Sequence, residues 1–185
     1  MRRAAAFLLL VLVASAPAVR AAVPRDLFGT WVGYATVLDA AGQVVEEREL
    51  DVVIRPFARR GFRIRWTSVT LVAGRRDRPG VVWRESAVAF VPARSGRYYV
   101  EAPRFDPFRE RPRDEAPVEG RPLRWAVAGP RGLFVYSFQI LEDGRFELQR
   151  YRRWREGERL RLLYERILDG EVVKRIVGQG IRVAD

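Results

Sequence analysis

The chain of 185 residues contains no cysteine, no histidine, no asparagine and a single methionine. Without histidine or cysteine there is no imidazole general base, no Ser-His-Asp triad, no thiolate nucleophile, no zinc site of the usual ligand set and no c-type haem attachment. These absences exclude the largest hydrolase and metalloenzyme families. They also exclude disulfides, so a hydrophobic core and a sheet ladder must hold the fold together unaided. Helical periodicity is missing as well from residue 22 onward. What is present fits one globular domain: 48% of residues are hydrophobic, and the 11 Pro and 15 Gly fall mostly between apolar runs, which argues against a disordered or fibrous chain.

The first 21 residues read as an export signal. Arg2 and Arg3 give a positive start, the stretch 4–14 is apolar, and small residues follow at Ala16, Ala18 and Ala21. Cleavage is expected after Ala21, with Ala18 as the alternative. The apolar run is stopped by Pro17 and Arg20, short of the roughly 20 residues a membrane helix needs. A periplasmic or secreted location follows. Losing Arg2, Arg3 and Arg20 leaves 31 basic against 23 acidic residues, a net charge of +8 on residues 22–185. Every basic residue but Lys174 is Arg, a fork suited to phosphate and carboxylate. Richness in Ala, Gly, Pro and Val is also what the codon bias of a GC-rich genome produces, so most of the arginine excess reads as bias and the rest as function, serving solubility and attraction to anionic partners. An exported chain is not expected to meet nucleic acid.

Alternation of period two runs through the rest. Phe62, Ile64 and Trp66 alternate with Arg63, Arg65 and Thr67, the mark of half-buried antiparallel strands. About ten strands are predicted, at 28–38, 44–55, 62–72, 81–91, 98–102, 123–128, 133–141, 146–154, 160–168 and 172–183. The last four are joined by short turns at Asp143-Gly144, Glu156-Gly157 and Asp169-Gly170. Residues 103–122 carry five prolines among Arg, Asp and Glu and form a long loop, either a lid or a disordered segment, with Phe105 and Phe108 available to pack over an opening.

Ten short strands in hairpin order can close into an all-β, antiparallel up-and-down barrel, with a β-sandwich as the alternative. The opening segment Asp26-Leu27-Phe28-Gly29-Thr30-Trp31 resembles the Gly-x-Trp start of the lipocalins and their calycin relatives, and the strand count resembles fatty-acid-binding proteins and nitrobindin-like barrels. Strands closing a barrel in order set the last beside the first, with Trp31 near residues 180–182; the resemblance implies that Gly29 and Trp31 mark the barrel's start and that Arg182 packs across the Trp31 ring. It also implies a small amphipathic molecule or lipid in the barrel. No haem is expected, since the chain has no histidine to hold iron, and no other cofactor or metal is expected either.

Candidate ligand-binding residues come from an oddity of the alternation. Phe146, Leu148, Arg150, Arg152 and Trp154 share one parity, so two guanidiniums accompany three apolar side chains. Either a bulge near Gln149 turns them to solvent, or they face inward and require an acidic partner, water or an anionic ligand. On the next strand Leu160, Leu162, Tyr164, Arg166 and Leu168 share a face, and Tyr164-Glu165-Arg166 resembles, in reversed order, the Arg and Tyr pair with which fatty-acid-binding proteins hold a carboxylate. Arg150, Arg152, Tyr164 and Arg166 are therefore the expected ligand anchors. No catalytic residue is assigned: Glu47, Glu49 and Asp51 lie about 7 Å apart on one strand face but read as a solvated outer surface. An envelope module that binds an acidic partner or an anionic membrane surface through its arginines, and an enzyme of unrecognised type, remain open as alternatives.

Overall fold

A computed structural model describes residues 22–103 and 116–184. The expected export signal at 1–21, and Phe105 and Phe108, lie outside the described residues. Ten strands are present: β1 (Gly29–Leu38), β2 (Val44–Phe57), β3 (Gly61–Thr70), β4 (Val82–Pro92), β5 (Tyr99–Glu101), β6 (Leu123–Gly129), β7 (Gly132–Ile140), β8 (Phe146–Glu156), β9 (Arg159–Leu168) and β10 (Glu171–Ala184). Each pairs antiparallel with its neighbour in sequence, and β10 pairs with β1. The sheet is a closed barrel, not a sandwich.

Register fixes which side chains enter the barrel. Trp31 lies opposite Arg182 on one side and Val52 on the other, Val52 opposite Trp66, and Trp66 opposite Ser86. On the far wall Arg124 lies opposite Ser137, Ser137 opposite Gln149, Gln149 opposite Arg166, and Arg166 opposite Lys174. Alternation then places Glu47, Glu49 and Asp51 on the outer face of β2.

One end of the barrel is packed solid. Leu27, Trp31, Ile54, Phe62, Phe90, Leu133 and Leu160 are almost wholly buried there. Phe62 stacks on Phe90 with ring centroids 5.1 Å apart and meets Tyr99 edge-on at 5.0 Å. A 3₁₀ turn, Arg25–Leu27, plugs this end, and the Trp31 indole N–H donates to the Leu27 carbonyl at 3.1 Å. The guanidinium carbons of Arg155 and Arg182 lie 4.9 and 4.8 Å from the centre of the Trp31 ring. Arg182 is fixed in turn by donating to the Asp26 carbonyl at 2.6 Å. Gly29, at φ +137°, leaves room for this: a β-carbon there would lie 3.3 Å from Arg182 Nε.

The seam between β1 and β10 coils tightly around small residues. A β-carbon at Gly33 would stand 1.9 Å from the Gln179 carbonyl oxygen, so only glycine fits. The opposite wall is incomplete. β5 has only three residues and pairs with β4 over Phe90–Pro92 and with β6 over Tyr99 and Val100. Among the described residues, β4 from Val82 to Val88 is therefore laddered on its β3 side alone. This break is flanked by the end of β5 at Glu101 and the start of β6 at Leu123.

Candidate functional site: a polar lumen around Arg153

Beyond the packed end the barrel, among the described residues, is hollow. Two adjoining chambers of about 390 and 380 Å³ share Trp66, Ser86, Tyr151 and Arg153 as common walls. The first lies beneath the break beside β4 and is lined by Val88, Pro122, Arg124 and Gln139 among others. The second opens between β2, β3, β9 and β10, past Glu46, Arg48, Arg84, Arg166 and Lys174.

The inner face of β8 carries Glu147, Gln149, Tyr151, Arg153 and Arg155, and most of these polar groups satisfy one another. Tyr151 donates its hydroxyl proton to Gln149 Oε1 at 2.9 Å, and Gln149 donates to Glu147 Oε1 at 2.5 Å. Glu147 also accepts from Gln139 at 3.3 Å and from Arg166. Arg155 donates to the Glu158 carbonyl at 3.3 Å and covers Trp31. Arg153 alone is left out.

Its side chain is 2% exposed, yet among the described residues it makes no hydrogen bond and no ion pair, and its Nε has no acceptor. What it touches is aromatic: its guanidinium carbon lies 5.8 Å from the Trp66 ring centre and 5.6 Å from that of Tyr151. Such contacts partly offset the loss of water without supplying acceptors. Burial lowers the Arg153 pKa from 12.5 to about 10, so the group stays charged at neutral pH. Burial likewise pushes the Tyr151 and Tyr164 hydroxyls upward, keeping both protonated as donors. Tyr151 and Tyr164 pack with centroids 4.7 Å apart.

Nearer the open end, burial disfavours ionised Glu46, but hydrogen bonds from Arg48 and from Thr70, the latter at 2.9 Å, outweigh it and hold its pKa below the usual glutamate value. Burial lowers the Lys174 pKa, and the nearby cations Arg48, Arg84 and Arg166 lower it further against the pull of Glu46.

Of the four anchors expected from the sequence, Tyr164 and Arg166 line the second chamber. Arg150 and Arg152 do not, which corrects the expectation that all four gather around a ligand. β8 pairs with β7 and β9 without a register break, so Phe146, Leu148, Arg150, Arg152 and Trp154 all face outward. The conflict of polarity on that face is resolved outside the barrel rather than by a bulge. Arg150 pairs with Glu165 of the outer face of β9, whose second oxygen accepts from Arg175 at 3.2 Å. Arg152 lies over Trp154 at 4.4 Å and Phe134 at 5.5 Å.

The residues missed were Arg153, Tyr151 and Trp66. Counting outward from the turn at Gly157 would have found the first two: Glu156 pairs with Arg159, which sets Arg153 opposite Leu162 and Tyr151 opposite Tyr164. Leu160, Leu162 and Tyr164 form the apolar face of β9, so their partners on β8 must point inward with them.

No family model matches the chain, and neither does any curated protein. Among solved structures it is similar to a protein of unknown function from the DUF3598 family of Nostoc punctiforme PCC 73102, at 13% identity and a TM-score of 0.47 over 92% of this chain. That alignment covers 53% of the Nostoc protein, so the chain spans about half its length. It is also similar to the S-type phycobiliprotein lyase CpeS of Guillardia theta, at 12% identity and a TM-score of 0.43, over 86% of this chain and 90% of that one.

Proposed function

We propose that this barrel is a binding protein that holds one small amphipathic, anionic molecule in its lumen, with an acidic group of the ligand on Arg153. The observation that carries the reading is a charged guanidinium buried among aromatic rings that has no acceptor among the described residues. An uncompensated charge of this kind costs several kcal/mol, and an anionic ligand would recover about 1.5–3 kcal/mol through charge-assisted hydrogen bonds. Trp66, Tyr151, Leu162 and Tyr164 offer the apolar surface that an amphipathic body needs, and chambers of this size suit a single small ligand. The closed ten-strand antiparallel barrel fits the same reading. So does export: residues 1–21 direct the chain across the membrane and are removed after Ala21, so the ligand is met outside the cytoplasm.

Calorimetric titration of the full barrel with dodecanoate tests the binding step. Wild type is expected to bind, and Arg153→Met to bind about thirtyfold more weakly, the equivalent of about 2 kcal/mol. Equal affinities in the two proteins would remove Arg153 from the site. An intact mass that begins at Met1 in protein recovered from the native host would overturn export.

A further inference from the structure

The second chamber has more cations than its acids can satisfy. Arg48 is held by Glu46, and Arg166 by Glu147. Arg84 and Lys174 line the same chamber, and among the described residues neither makes a hydrogen bond or an ion pair. Their charges are close enough to disturb one another: Lys174 is made less basic by burial and then by Arg48, Arg84 and Arg166, against the opposing pull of Glu46. An anion placed among them would relieve that repulsion.

Lys174 lies well away from Arg153. Along β8, Arg153 is four residues from Gln149, which lies opposite Arg166, which in turn lies opposite Lys174. Four residues of extended chain span about 13 Å. Between the two charge centres the wall is largely apolar, with Leu50, Tyr151, Leu162, Tyr164 and Ile176. The order along the lumen is thus buried cation, apolar and aromatic middle, then cations at the opening that have no partner among the described residues.

From this we infer that the ligand is a dianion with an apolar body, its inner acid on Arg153 and its outer acid on Lys174 and Arg84. The inference rests on the assignment of Arg153 above and extends it to the ligand's other end. A ligand with a single acid at its inner end would leave the outer cations unanswered.

Dodecanedioate and dodecanoate, equal in length and differing in the second carboxylate, are suitable probes for calorimetry. Wild type is expected to prefer the diacid about tenfold, as one further charge-assisted contact implies. In the double variant Lys174→Met/Arg84→Gln that preference should fall to about one. Arg153→Met should weaken the diacid too, by about tenfold or more. Equal affinity of wild type for the two probes, a preference that survives the double variant, or two monoacids bound per barrel would each overturn the dianion. Loss of the dianion preference with Arg153→Met still impaired leaves the Arg153 anchor standing. Diacid binding untouched by Arg153→Met sinks the anchor itself.

Discussion

The two ends of this barrel are made of the same ten strands and obey opposite rules. At the packed end the buried inward positions are apolar, from Ala126 to Phe62 and Trp31, while Arg155 and Arg182 lie over the Trp31 ring; the indole N–H of Trp31 has its acceptor in Leu27. At the hollow end the inward positions include Ser68, Ser86, Gln149 and charged residues beside apolar and aromatic ones, and among the described residues the space between them is not filled. A core closed this way supplies stability, because close packing and burial of apolar area are what the folded state gains. A lumen lined with polar groups gives some of that up. The difference assigns stability to one end and binding to the other, and the assignment can be broken by substitutions that move the wrong quantity.

The largest effect is expected at the packed end. Phe62 is fully buried between Phe90 and Tyr99, so Phe62→Ala removes a ring from a close-packed stack. Urea denaturation should show a loss of about 3–5 kcal/mol, the usual cost of a large cavity in a rigid core. Dodecanoate affinity, measured below the unfolding transition, should stay near wild type. A loss of under about 1 kcal/mol would mean that the packed end is not the main source of stability.

How much of this division was legible in the residues follows from what alternation can and cannot encode. Strand number, order and the fold class could be read because Gly and Pro punctuate each run and the turns are short. Strand order could place Trp31 near residues 180–182 of the last strand, and the resemblance to the calycin barrels singled out Arg182 as its partner. The inner face of β8 could not be read from β8 by itself. Both of its faces mix arginines with aromatics: Phe146, Leu148 and Trp154 made the outer face look like core, whereas the true inner face is Glu147, Gln149, Tyr151, Arg153 and Arg155. Hydrophobic patterning marks the interior only where the interior is dry. At a wet lumen the pattern fails, and the register inherited from β9 has to decide. The same physics explains why the site was half found: Tyr164 and Arg166 sit on a strand whose neighbours Leu160 and Leu162 continue the dry core.

The second prediction turns on the sign of an effect. Arg153→Met removes a charge that burial penalises and replaces it with an unbranched apolar chain. Stability in the absence of ligand should rise by about 1–2 kcal/mol, because a buried charge without a partner is worse than a well-placed hydrophobe. Affinity for carboxylates should fall in the same protein. Opposite signs in the two measurements are the mark of a residue kept for binding. A fall in both would make Arg153 a structural strut whose stacking on Trp66 and Tyr151 outweighs its desolvation.

The smallest effect is expected outside the lumen, on the wall that the two arginines of β8 help to cover. Glu165 is buried on the outer face beneath Arg150 and Arg175. Burial opposes its ionisation, but hydrogen bonds from both arginines outweigh that cost and set its pKa below the ordinary value of 4.5. A glutamate whose folded pKa is depressed contributes stability that is fully present above its unfolded value and is lost as pH falls through the folded one. Glu165→Gln should therefore cost about 1 kcal/mol at pH 7, a figure kept small by the exposure of both arginines. The gap between variant and wild type should then close as the pH drops below 4.5, while it stays constant between pH 6 and 8. Urea midpoints across that range would show it. A gap that persists in acid would mean that Glu165 holds the wall by shape rather than by charge, and that Arg150 is an outer-face residue with no electrostatic part in the fold.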